Sequence, residues 1–188
     1  MIILISAVGS TGKTMMAQNL LERYGIPYLS IDHLKMGLYR GDKNCEFTPL
    51  DNTEVIGDYL WPILKGVIMT NIENEQHIII EGCYILPHYL KDFDINYSKK
   101  IISVFLGFSS NYIQENFEAR IVRYRNAVEL RSCPEERTIK ELITEHKEFK
   151  EYCLRSGVKY FEIKNDYEKE ILEVYDYINA EIQIIDLT

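Results

Sequence analysis

An apolar run that meets a glycine-rich turn and then a helical pattern, all within residues 1–24, constrains this chain more than any other stretch. MIILISAV (1–8) lacks the alternation of a strand with one wet face, so it reads as a strand buried on both faces of a parallel sheet. AVGSTGKT (7–14) overlaps its end and fits G-x-x-x-x-G-K-[ST], with Ala7 in place of the first glycine. A strand before and a helix after are the context this pattern needs. The chemistry explains the residue types. Backbone N–H groups must turn inward around a polyphosphate, which calls for glycines that can take φ > 0. The following helix aims its positive end at the same anion. Gly9, Ser10, Thr11, Gly12, Lys13, Thr14 and Met15 are therefore expected to wrap a nucleotide's phosphates. Lys13 would place its charge at the β- and γ-phosphates, and the Thr14 hydroxyl could ligate Mg²⁺.

Downstream the alternation continues. Residues 13–24 read as a helix closed by Gly25, and PYLSID (27–32) as a short strand. A helical turn or two (33–39) and a loop (40–52) lead to a helix over 53–73 that Pro62 should kink. HIIIEG (77–82), KKIISVFLGF (99–108) and VKYFEI (158–163) read as strands; 110–127, 135–155 and 166–180 read as helices, with EIQIID beyond them as a strand or packed extension. Strands separated by helices predict an α/β domain with a mainly parallel sheet. At 188 residues the chain has a single-domain length. Its 29 acidic and 21 basic residues leave a net charge of −8, which argues against a nucleic-acid partner. No apolar run approaches the roughly 18 residues of a membrane span, and the first eight residues lack the basic flank of a signal peptide. Cys45, Cys83, Cys133 and Cys153 form no CxxC pair, so neither a zinc ribbon nor a disulfide framework is expected, and a reduced, cytoplasmic chain is the simpler reading.

The motif by itself means nucleotide binding and does not separate a kinase from a GTPase or a motor. The guanine-reading N-K-x-D pattern is absent, since the fifth strand is followed by IKNDYE. Four stretches in order, AVGSTGKT, LSIDHLK, IIIEG and ENFEARIVRYR, resemble the nucleoside-monophosphate-kinase-like group of P-loop phosphotransferases. That group includes adenylate-kinase-like enzymes and kinases for gluconate, shikimate and 2-phosphoglycerate. IIIEGCYILPHYL is somewhat more similar to the 2-phosphoglycerate-kinase-like members. The resemblance implies a three-layer P-loop NTPase fold: a five-stranded, mainly parallel sheet with helices on both faces. It also implies an acceptor-binding insert at about 33–75 and a short lid at about 110–137.

The resemblance implies roles as well. Asp32, closing the second strand, would contact the acceptor hydroxyl or organise the metal, with helix capping as its structural alternative. Glu81, at the end of a buried strand, resembles the Walker B acid and would serve Mg²⁺ beside Thr14 or polarise a nucleophile, with a strand-end acid paired to a nearby lysine or N–H as its structural alternative. Arg120 and Arg123, three apart and hence on one helical face with Arg125 elsewhere, would close over the transferring phosphoryl group, and Arg131 and Arg137 lie farther along the lid. The alternative is a solvated basic face paired with Glu115 or Glu118. His33, His88 and His146 read as surface or structural, and Trp61 as core. The function expected is that of an ATP-dependent kinase, with ATP and Mg²⁺, acting on a nucleoside monophosphate or small hydroxy metabolite as monomer or homodimer. The other classes are an NTPase driving a partner and a nucleotide-binding module without turnover.

Overall fold

Six consecutive buried residues, Ile2–Ala7, make β1 the central strand of the sheet. The computed structural model describes residues 1–125, 127–128 and 137–186. β1 is joined by β2 (Tyr28–Ser30), β3 (Ile78–Glu81), β4 (Ile101–Phe108) and β5 (Tyr160–Ile163) in the order β2-β3-β1-β4-β5. Every neighbouring pair is parallel. Around the sheet run α1 (Lys13–Tyr24), α2 (Ile31–Gly41), α3 (Thr53–Glu73), α4 (Ile95–Ser98), α5 (Ser110–Asn116), α6 (Ile139–Ser156) and α7 (Tyr167–Asp186). The expected α/β class and five-stranded parallel sheet are those observed.

Alternation along β1 divides the core. Ile3, Ile5 and Ala7 pack with Met16, Ala17 and Leu20 of α1 and Val174 and Ile178 of α7. Ile2 and Leu4 pack the other way, with Ile31 of α2 and Ile56, Leu60, Leu64 and Ile68 of α3. Successive side chains of a strand point to opposite faces, so one strand anchors both layers. Each such aliphatic side chain stabilises the fold by about 1.5–3 kcal/mol when fully buried. Among the described residues no helix is long and apolar enough to cross a membrane.

Several local readings differ from the sequence expectation. The second strand stops at Ser30, which caps α2, so Asp32 lies in the first turn of that helix and does not close the strand. A carboxylate there is favoured by the helix's positive end. The helix expected over 53–73 is present as α3 with Pro62 inside it. The segment expected as one helix over 110–127 is α5 followed by a π-helical turn, Phe117–Val122. α6 starts at Ile139, where Thr138 and Glu141 form a reciprocal capping box. The apolar tail extends α7 to Asp186. Between β3 and β4 the chain adds a 3₁₀ turn, Pro87–Asp92, and the short α4, neither of them foreseen.

Candidate functional site

The turn between β1 and α1 has the backbone its sequence calls for. Ser10 takes φ 68° and Gly12 φ 89°. A Cβ at Gly12 would also collide with the Tyr167 hydroxyl. That hydroxyl donates to the Thr11 carbonyl at 3.4 Å. Thr11 is buried and donates to the Val8 carbonyl at 2.9 Å. Gly12 precedes α1 without a side-chain cap, so the first N–H groups of the helix remain for a ligand. Lys13 is buried and its ammonium donates to the Val8 carbonyl at 3.2 Å, folded back into its own loop. Gly9 lies under the Arg137 guanidinium, whose nitrogens would stand 3.3 Å from a Cβ there. Arg137 reaches Ser10 Oγ at 3.5 Å and pairs with Glu145 at 2.8 Å.

Register brings the metal-type residues together. Ser30 and Ile5 flank Glu81 on the neighbouring strands, and Glu81 is 1% exposed. Its carboxylate accepts from the Thr14 hydroxyl at 3.3 Å. Mg²⁺ usually takes one or two protein oxygens and completes its octahedron with phosphate oxygens and waters. A hydroxyl and a carboxylate side by side next to a phosphate cradle fit that requirement. Among the described residues no cluster of three or more His, Cys, Asp and Glu offers a dedicated metal cage.

On the β4–β5 side of the loop lies a cavity of about 290 Å³. Its walls run from Lys13, Thr14 and Met15 past Phe108, Tyr112 and Tyr167 to Arg120 and Arg125. Arg120 pairs with Glu168 across the rim at 2.6 Å, not with Glu115 or Glu118. Both partners are well exposed, so the pair adds little to stability and can open for a ligand. The expectation that Arg120 and Arg123 share a face is corrected. Arg125 lines the cavity with Arg120, while Arg123 is exposed beside the Tyr124 ring. The cause is the π-helical turn: with i→i+5 hydrogen bonding, the side chain five positions on returns to the same face. Arg131 and much of the expected lid lie outside the described residues.

On the opposite, β3–β2 side stands Asp32. Its carboxylate pairs with Lys35 one turn along α2, at 2.9 Å. The Lys35 ammonium also donates to the Tyr84 hydroxyl at 2.7 Å. Cys83, half-buried between them, lies near enough to Lys13, Asp32 and Lys35 to feel all three charges, and burial pushes its thiol above the usual range. Lys35 and Tyr84 escaped the sequence reading; a lysine three positions after Asp32 on a helix was the available signal. Tyr167, Tyr112 and Phe108 had none, because only the fold brings them to the loop.

Behind the loop, His146 is 2% exposed. Its Nδ1 accepts from the Phe108 N–H at 2.9 Å, which puts the proton of the neutral ring on Nε2. Burial, with Arg137 and Lys13 nearby, lowers its pKa to about 3.

No protein-family model matches the chain, and no curated protein sequence matches it. Solved structures do match along its whole length. A gluconokinase from Sinorhizobium meliloti 1021 superposes with a TM-score of 0.52 at 13% identity, over 98% of this chain and 93% of that one. Shikimate kinase from Aquifex aeolicus gives 0.54 at 15% identity, over 97% and 99%. A deoxyadenosine kinase from M. mycoides, with dCMP and dCDP bound, gives 0.53 at 14% identity, over 96% and 100%. The chain therefore has the fold of these small-molecule kinases.

Proposed function

We propose that the protein is an ATP-dependent small-molecule kinase, which moves the γ-phosphoryl group of MgATP to an acceptor hydroxyl. The observation that carries this reading is the placement of Lys13, Thr14 and Glu81 between two unlike flanks, an aromatic and arginine-lined cavity on one side and the Asp32 carboxylate on the other. The fold shared with kinases supports it. Loop N–H groups and the start of α1 bind the phosphates, and Lys13 swings from the Val8 carbonyl to the β–γ bridge. Thr14 and Glu81 would hold Mg²⁺, which neutralises charge on the phosphate oxygens when bound. Phe108, Tyr112 and Tyr167 enclose the nucleoside. Arg120, Arg125 and Arg137 supply donors for equatorial oxygens as charge develops on them. Asp32 orients the acceptor hydroxyl and takes its proton.

ADP release is measured with MgATP against a panel of nucleoside monophosphates, hydroxy acids and polyols. One acceptor class should raise the rate well above background hydrolysis. Lys13→Ala should lower turnover by about 10²- to 10³-fold, as for loss of one preorganised donor. Hydrolysis that no acceptor accelerates would point to an NTPase, and tight binding with an inert γ-phosphate to a module without turnover.

A further inference from the structure

Lys35 presents an arrangement that stability alone does not explain. Its side chain is nearly buried, at 11% exposed, and lysine is almost never buried without a reason. A buried ion pair rarely improves on apolar residues of the same size, because desolvation cancels most of the attraction. The pair is also incomplete. An ammonium has three N–H donors. Asp32 takes one at 2.9 Å and the Tyr84 hydroxyl a second at 2.7 Å, and the third has no partner among the described residues. α2 and the chain after β3 hold these groups at the carboxyl ends of the strands, and Gly57 of α3 packs 3.2 Å from the Tyr84 carbonyl, measured from where its Cβ would be. Ser30, the residue before α2, pairs in register with Glu81, which accepts from Thr14, so α2 begins at the same edge of the sheet as the glycine-rich loop.

Resting on the kinase reading above, we infer that Lys35 selects the acceptor, with its third donor engaging a carboxylate of a small hydroxy acid while Asp32 faces the hydroxyl to be phosphorylated. The donor count favours a carboxylate over the other acceptors. Lys35 keeps its charge beside Asp32, and its third N–H can make one further charge-assisted hydrogen bond. A nucleoside monophosphate brings a doubly charged phosphate, which calls for arginine forks. Among the described residues of the 33–75 segment the one arginine, Arg40, is exposed, as is Lys43. A neutral polyol would leave the third donor to a weaker, uncharged partner.

The test uses the intact chain with MgATP and matched acceptors: glycerate and gluconate, each beside its carboxamide, together with glycerol and AMP. The wild type should prefer acid over amide by about 10²-fold in kcat/KM, the worth of a hydrogen bond to a charged group. Lys35→Met should bring that ratio to within about 3-fold, with MgATP affinity unchanged. A merely structural role for Lys35 would lower both members of each pair alike and leave the ratio intact. Lys35→Gln, which keeps a donor and loses the charge, serves if the Met variant does not fold, and the wild-type acid-to-amide ratio decides by itself. AMP or glycerol used as well as the hydroxy acids would overturn the role of Lys35 while leaving the kinase reading in place. Normal MgATP binding with no accelerated ADP release on any acceptor would overturn both.

Discussion

At the scale of single residues, His146 links the loop to the folding equilibrium. Its ring is buried as the neutral form, and protonation at Nδ1 would set a second donor against the Phe108 N–H. The folded pKa of about 3 lies below the unfolded value near 6.5, so the unfolded chain binds the proton first. The contribution of His146 to stability is complete above pH 6.5 and is lost as the pH falls toward 3. Between pH 7 and pH 5 the wild type should lose about 2 kcal/mol more than His146→Gln, whose amide oxygen can accept from Phe108 but does not titrate. Urea unfolding of both proteins at the two pH values measures the difference, and parallel losses would mean that the ring is not held neutral. The sequence left His146 as either structural or solvated, and its spacing to other residues could not reveal a partner in β4. The same limit applies to Lys35. Its charge suggests a solvated helix face, and only the packing of Tyr84 against α2 shows it buried.

At the scale of elements, the turn between β1 and α1 was legible because its demands are local: a strand, two residues at positive φ and a helix end, all within a few positions. The arginine segment was less legible. A run of helix formers, ENFEARIVRYR, predicts 3.6-residue spacing, and nothing in it announces a π turn. That turn changes which arginine lines the cavity. Arg125→Ala should weaken MgATP binding and lower kcat by about 10-fold or more, the effect expected for a lost charged hydrogen bond. Arg123→Ala, at an exposed position outside the cavity, should change either by less than about 2-fold. Titration of nucleotide and steady-state kinetics on the two variants separate the cases. Equal losses, or a larger loss at Arg123, would restore the regular-helix reading of this segment. Asp32 shows the opposite relation between levels: the strand boundary moved by two residues, yet the carboxylate still stands at the carboxyl edge, because an N-terminal helical turn occupies the same place that a longer strand end would.

At the scale of the whole molecule, the two layers built on opposite faces of β1 share that strand, and the loop leaves it at their seam. The layer of α1 and α7 continues into the cavity walls at Phe108, Tyr112 and Tyr167, while the layer of α2 and α3 continues into Asp32, Lys35 and Tyr84. The two substrates should therefore stiffen different halves. MgATP at 100 times its Kd stabilises the folded state by about 2.7 kcal/mol, a rise in Tm of roughly 5–10 °C for a chain of this size. In hydrogen exchange this protection should fall on residues 8–16, 108–125 and 167–170. Slowing over 31–41 and 82–89 should require the acceptor as well, since its contacts lie there and the nucleotide's do not. The protein's net charge of −8 opposes an anionic nucleotide at long range, so the proposed binding would rest on the local cations Lys13, Arg120, Arg125 and Arg137, and the nucleotide-dependent protection should fall off as salt screens them. Equal slowing of both sets by MgATP alone would show that the halves are coupled through the sheet, and the division between a nucleotide side and an acceptor side would not stand.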